Sequence, residues 1–153
     1  MLGRLAGTAA LGLLSALWFL AIGLVFGAEI HSGFTGALIA VVLVTATSMA
    51  VGGIGAAIAL RTGSASVVQG LFPLVLVVLF LSSAFFPLDL MIQPAKAIAE
   101  YNPFSFIVEG VRNPIISGIE GTDLLHAMLA IAGIFVLGPV LSVRALDHRL
   151  RVG

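Results

Sequence analysis

Four long stretches of this chain contain no Asp, Glu, Lys or Arg: Leu5 to Gly27, Phe34 to Leu60, Val67 to Pro87 and Leu124 to Val143, of 23, 27, 21 and 20 residues. A hydrocarbon core of roughly 30 Å is crossed by about 20 helical residues, so each stretch is long enough to span it. A backbone in lipid must satisfy its own N–H and C=O groups, which leaves helices or closed barrels. Barrel strands read as short alternating segments, and nothing here alternates. The expected fold is therefore all-α, a polytopic membrane protein forming one transmembrane domain over residues 1–153, with spans at about 5–27, 34–60, 67–87 and 124–143. Composition agrees: 60% of residues are hydrophobic and 9% charged, against about a quarter charged in soluble domains.

The charges that remain are segregated. With four spans, both termini share one side with the turn at Arg61. That side carries Arg4, Arg61, Arg144, Arg149 and Arg151 against Asp147 alone. The other carries Glu29, Asp89, Glu100, Glu109, Glu120 and Asp123, with Lys96 and Arg112 as its only bases. The positive-inside rule puts both termini in the cytoplasm. A cleaved signal peptide is disfavoured, because the first apolar run far exceeds the usual 7–15 residues.

Local motifs are mostly generic. Gly23 and Gly27 form a GxxxG step, too frequent in membrane helices to name a partner. Thr45, Thr47 and Ser48 are placed to bond back to their own helix carbonyls, and Gly52, Gly53 and Gly55 to bend the second span or admit a neighbour. Glu29 beside His31 is a poor metal site without further ligands. The inner loop Arg61, Thr62, Gly63, Ser64 is short and polar, with Ser64 or Ser66 placed to cap a helix from about Val67. It is a docking point for a soluble partner or a simple turn. Pro73 sits in the third span and Pro139, beside Gly138, in the fourth, where a kink is expected.

The segment between spans three and four is more specific. Pro94 stands where a first helical residue would, and Ala95 to Tyr101 reads as helix. Asn102-Pro103 reads as a cap followed by a first-turn proline. Phe104, Ile107, Val108, Val111 and Ile115 then share one helical face. Ser105, Glu109 and Arg112 share the other, with Glu109 and Arg112 spaced to pair, and Pro114 ends the run. These helices, at about 94–101 and 103–113, are too short to cross at about 1.5 Å per residue. A re-entrant pair dipping into the outer leaflet is the expected arrangement.

The spans hold no acid or base except His126, near the start of the fourth. Proton-coupled transport depends on intramembrane ionisable groups, and no nucleophile–base set or carboxylate pair suited to catalysis is present. The chain is not expected to be an enzyme, and energy for uphill transport must come from another subunit.

FLSSAFFPLDLMIQPAKAIAEYNPFSFIVEGVR, from Phe80 to Arg112, closely resembles the C-terminal signature of permeases of type-2 ATP-binding-cassette (ABC) exporters. The matching elements are Phe80 to Pro87, Pro94, Asn102-Pro103 and Arg112. ALRTGSASVVQG, from Ala59 to Gly70, is similar to the family's second cytoplasmic loop, and MLGRLAG to the start of its third span. The resemblance implies an exporter of a drug, lipid or polysaccharide in a bacterial-type plasma (inner) membrane. It implies a separate ABC ATP-binding subunit that holds the ATP, no cofactor of the chain's own, no nucleic acid, and a second permease copy in a homo- or heterodimer. Arg61, Thr62, Gly63 and Ser64 would then face the ATPase. Pro87, Pro94, Tyr101, Asn102, Pro103, Glu109 and Arg112 would belong to an outer re-entrant element. The match covers the last four of the family's six spans, which implies a truncated permease or a longer reading frame. A small oligomeric four-span channel or secondary transporter, and an inactive fragment or assembly factor, are the alternatives.

Overall fold

The computed structural model describes residues 2–152, without the side chains at positions 2, 4, 60, 65 and 138–152. Its helices follow in the order α1 (Leu2–Val25), α2 (Gly33–Thr62), α3 (Ala65–Gly70), α4 (Phe72–Phe80), a 3-10 turn (Leu88–Leu90), α5 (Ala95–Glu100), α6 (Pro103–Ile116) and α7 (Gly121–Val152). No strand occurs among the described residues.

Two segments are apolar and long enough to cross a membrane, Leu5–Val25 in α1 and Gly33–Ala59 in α2. Only 6% and 17% of their most apolar windows are buried, so neither is the core helix of a water-soluble domain. Leu11, Leu14, Trp18, Phe19 and Val25 stand exposed along α1 alone, a surface far more apolar than water-soluble proteins tolerate. The apolar piece Ser66–Phe80 is shorter, and in α7 the run Gly121–Leu137 is apolar as far as its side chains are described.

Helix α2 is the axis of the assembly, with α1, α7, α6 and α3 packed around it. Lipid tails are as apolar as leucine, so helices in a bilayer associate through close packing rather than hydrophobic exclusion. Small residues supply the close approaches. A Cβ on Gly12 would meet the Ser48 hydroxyl oxygen at 2.5 Å, and one on Gly52 would meet Thr8 at 2.6 Å, so both glycines set the α1–α2 contact. Among the described residues no other helix packs on the Gly23–Gly27 step: Gly27 lies beyond α1, and a Cβ on Gly23 would meet only Ala28. The buried apolar cluster joins α2, α6 and α7 through Leu43, Ala50, Ile107, Ala127, Ile131 and Ile134. Thr45, Thr47 and Ser48 bond back to the carbonyls of Val41, Leu43 and Val44.

Three local expectations change. The third charge-free stretch is not one helix. It breaks at Leu71, because Pro73 has no N–H for the Gln69 carbonyl and its ring crowds it. Helix α4 then ends at Phe80, well short of Pro87. There the Ser82 hydroxyl bonds the Leu79 carbonyl at 2.6 Å and accepts the Ala84 N–H at 3.3 Å, drawing the chain out of helix. Pro94 precedes α5 as its N-cap instead of opening it. Pro114 does not end α6, which continues to Ile116. In a last turn the proline forfeits one bond, and loop N–H groups satisfy carbonyls there: Ser32 donates to Pro114 at 3.3 Å and His31 to Ile115 at 2.7 Å.

Candidate functional site

The fully buried side chains of greatest volume here are three serines, Ser82, Ser83 and Ser105. With Asn102 and Arg112 they form a polar clasp between the end of α4 and the start of α6. Its logic begins with backbone. A helix ending inside an apolar environment leaves its last carbonyls without partners, and each costs several kcal/mol in lipid, of order 2–7 kcal/mol by transfer.

Asn102 satisfies two of them. Its Nδ2 donates to the carbonyls of Val78 at 2.8 Å and Leu81 at 3.1 Å. Its Oδ1 accepts the Phe104 N–H at 3.0 Å, capping α6, while Pro103 takes the first helical position, where no N–H is needed. One carboxamide thus closes one helix and opens another. Ser105 continues the clasp: its hydroxyl accepts the Ser83 N–H at 2.9 Å, and the Ser83 hydroxyl donates to the Ser105 carbonyl at 3.4 Å. Arg112 donates to the Ser83 carbonyl and, at 3.3 Å, to that of Ala84. The rings of Phe80 and Phe85 stack over the turn, 4.5 Å apart. No buried side-chain polar atom among the described residues is left without a partner.

Glu109 and Arg112 do not form the spaced ion pair. The guanidinium is committed to the carbonyls, which accept from no other donor among the described residues, and acts on Glu109 only through space. Burial pushes the Glu109 carboxyl above its ordinary value. Asp123 and Asp89 push the same way, and the Ser83 hydroxyl and Arg112 oppose them.

The clasp lies deep along α2. Arg112 and Ile107 share a cleft with Val44, Thr47 and Ser48, near the middle of that helix; at about 1.5 Å per residue, Thr62 stands roughly 21 Å further along. Next to α7, Gly110 lets α6 approach until a Cβ would meet that of Ala127 at 2.5 Å. Of the other residues expected in this element, Pro87 starts the 3-10 turn, Pro94 caps α5 and Tyr101 ends it. They are exposed and route the chain without joining the clasp.

At the far end of α2, Gly63 closes the helix with φ 68° and donates its N–H to the Ala59 carbonyl. That left-handed conformation suits glycine. The Thr62 hydroxyl bonds the Ile58 carbonyl at 2.9 Å. Ser64 holds the N-cap position of α3, but its hydroxyl pairs with that of Ser66 at 2.6 Å instead of a backbone N–H. Arg61, Thr62 and Gly63 are exposed, so the loop presents a small polar surface.

A helical assembly with an apolar exterior, a polar clasp inside and a polar loop at one end is a membrane architecture. A family model described as ABC-2 family transporter protein matches residues 1–144. The chain belongs to the ABC-2 transporter family. Neither a curated protein nor a solved structure matches it. ABC-2 permeases are membrane-embedded transport components, generally not catalytic themselves, and they work with ATP-binding subunits. In this ABC-2 protein the serines were the part that sequence reasoning missed. Ser105 reads as a polar-face residue, whereas it is buried and bonded to a residue 22 positions away. Its one signal is a serine two positions after Asn-Pro, answering the Ser-Ser pair at the end of an apolar run.

Proposed function

We propose that this chain is the membrane-spanning subunit of an ABC exporter, moving a drug, lipid or polysaccharide-like substrate outward at the expense of ATP bound by a separate subunit. The buried clasp carries the reading: it ties the end of an apolar helix to a pair of helices too short to cross, in a family that transports. The apolar segments of α1 and α2 hold no ionisable residue, which favours an external energy source over proton coupling.

In this reading α1, α2, the α3–α4 segment and α7 cross a bacterial-type inner membrane, and α5 and α6 are the re-entrant pair on the outer side. The basic side, with both termini and the Arg61–Ser64 loop, is cytoplasmic. A second permease copy completes the path, and the loop is where the ATP-binding subunit docks.

The chain has no cysteine, so single cysteines report position without background. In right-side-out vesicles, a membrane-impermeant thiol reagent is expected to label a cysteine at Ile119 and spare one at Thr62. Purification from native membranes is expected to retain an ATP-binding subunit. Purification without any ATPase, or labelling at Thr62 from outside, would overturn the reading in favour of an oligomeric channel.

A further inference from the structure

Helix α4 is thinly packed. None of its residues is buried, and its main helix contact is α3, across the break at Leu71. Helix α6 is wedged instead: Gly110 against Ala127 on α7, the Pro114 carbonyl against Gly36 on α2, and Ile107 in the buried apolar cluster. A loosely packed helix therefore ends on a firmly packed one, and the joint is polar. Ser105 and Arg112 hold the chain beyond α4, at Ser83 and Ala84. Among the described residues, only Asn102 reaches from outside this segment to the carbonyls of the α4 turn itself, Val78 and Leu81.

We infer that Asn102 is a positioning residue of the transport cycle, the joint that fixes the end of α4 to the α2–α6–α7 block, so that any movement of the α3–α4 segment swings about it. The chemistry requires an amide. Its two Nδ2 hydrogens go to two carbonyls, and its oxygen caps α6. Serine caps a helix about as well as asparagine, yet it is shorter and has a single hydrogen. Breaking the joint in lipid leaves carbonyls with no water to take them, so the joint is a pivot and not a latch that opens each cycle. The inference rests on the proposed transport role only for the movement of α3.

The test uses nitroxide pairs on the full chain in lipid nanodiscs with its ATP-binding subunit. One pair joins Val77 on α4 to Ile116 on α6; a control joins Ile116 to Leu129 on α7; a third joins Val67 on α3 to Leu129. All are exposed side chains. In the wild type the Val77–Ile116 distribution is expected to be narrow and to hold when ATP and vanadate trap the complex, while Val67–Leu129 shifts. Asn102→Ser is expected at least to double the Val77–Ile116 width and to leave the control pair unchanged. An unchanged Val77–Ile116 width in Asn102→Ser would overturn the inference. So would equal widening of the control in that variant, or a Val77–Ile116 shift larger than Val67–Leu129 on trapping. Absence of a bound ATP-binding subunit would count against the proposed function, and the width comparison would still decide the role of Asn102.

Discussion

Exchanging one methyl between Gly110 and Ala127 tests the packing that seats α6. A Cβ at Gly110 would meet the Ala127 Cβ at 2.5 Å, the Asp123 carbonyl at 3.4 Å and Leu43 Cδ1 at 3.5 Å. The last two are ordinary contacts and the first is not, so Gly110→Ala must push α6 and α7 apart by about 1 Å. Overpacking of that kind costs about 1–3 kcal/mol, offset by about 1 kcal/mol of gained helix propensity. The net loss is about 1 kcal/mol. Ala127→Gly alone forfeits that propensity and a buried methyl worth about 0.8 kcal/mol, a loss of about 2 kcal/mol. In the double variant the propensities cancel and the methyl fills the same gap from the other helix, so stability is expected to return to near the wild-type value. The implied coupling of about 3 kcal/mol is at the upper end for touching residues. Unfolding by SDS in mixed micelles, followed through the single Trp18, reads all four proteins. Additive losses in the double variant would refute the α6–α7 contact.

The remaining predictions concern the clasp and the loop. Arg112→Ala removes charged hydrogen bonds worth about 1.5–3 kcal/mol and is expected to lower the same SDS midpoint; Arg112→Lys recovers only part, having a charge without the planar fork. Gly63→Ala places a side chain at φ 68° and is expected to cost roughly 1–2 kcal/mol, while Gly63→Asn costs less, because asparagine tolerates that conformation. The fold disfavours the ionised form of Glu109, chiefly through burial. Stability from this group is therefore complete below its ordinary value and lost as pH rises through the raised one. Comparing SDS midpoints against pH, Glu109→Gln is expected to flatten that decline; an identical slope in the variant would contradict it.

What the sequence made legible was local or long. Helices α1 and α2 follow from runs of apolar residues longer than a bilayer requires, and the α6 start follows from Asn102-Pro103, where cap and proline act within one turn. The breaks were less visible. Pro73 is compatible with a continuous membrane helix, and only the structure shows it near the start of a new one. Ser82 ends α4 through a side-chain bond that competes with the helix, and serines in apolar runs do so only in some settings. The Glu109–Arg112 spacing suits an ion pair, but carbonyls stranded nearly thirty positions away draw the guanidinium more strongly. Periodicity along one helix cannot report such a tertiary demand.

The central claim is that an ATP-binding subunit engages this chain at the Arg61–Ser64 loop. The most direct measurement is cross-linking from single cysteines, at Thr62 and as a control at Ile119, to the ATP-binding subunit in native membranes. The account predicts a cross-link from Thr62 that strengthens on nucleotide trapping, and none from Ile119. A cross-link from Ile119, or none from Thr62 in a complex that still hydrolyses ATP, would contradict it.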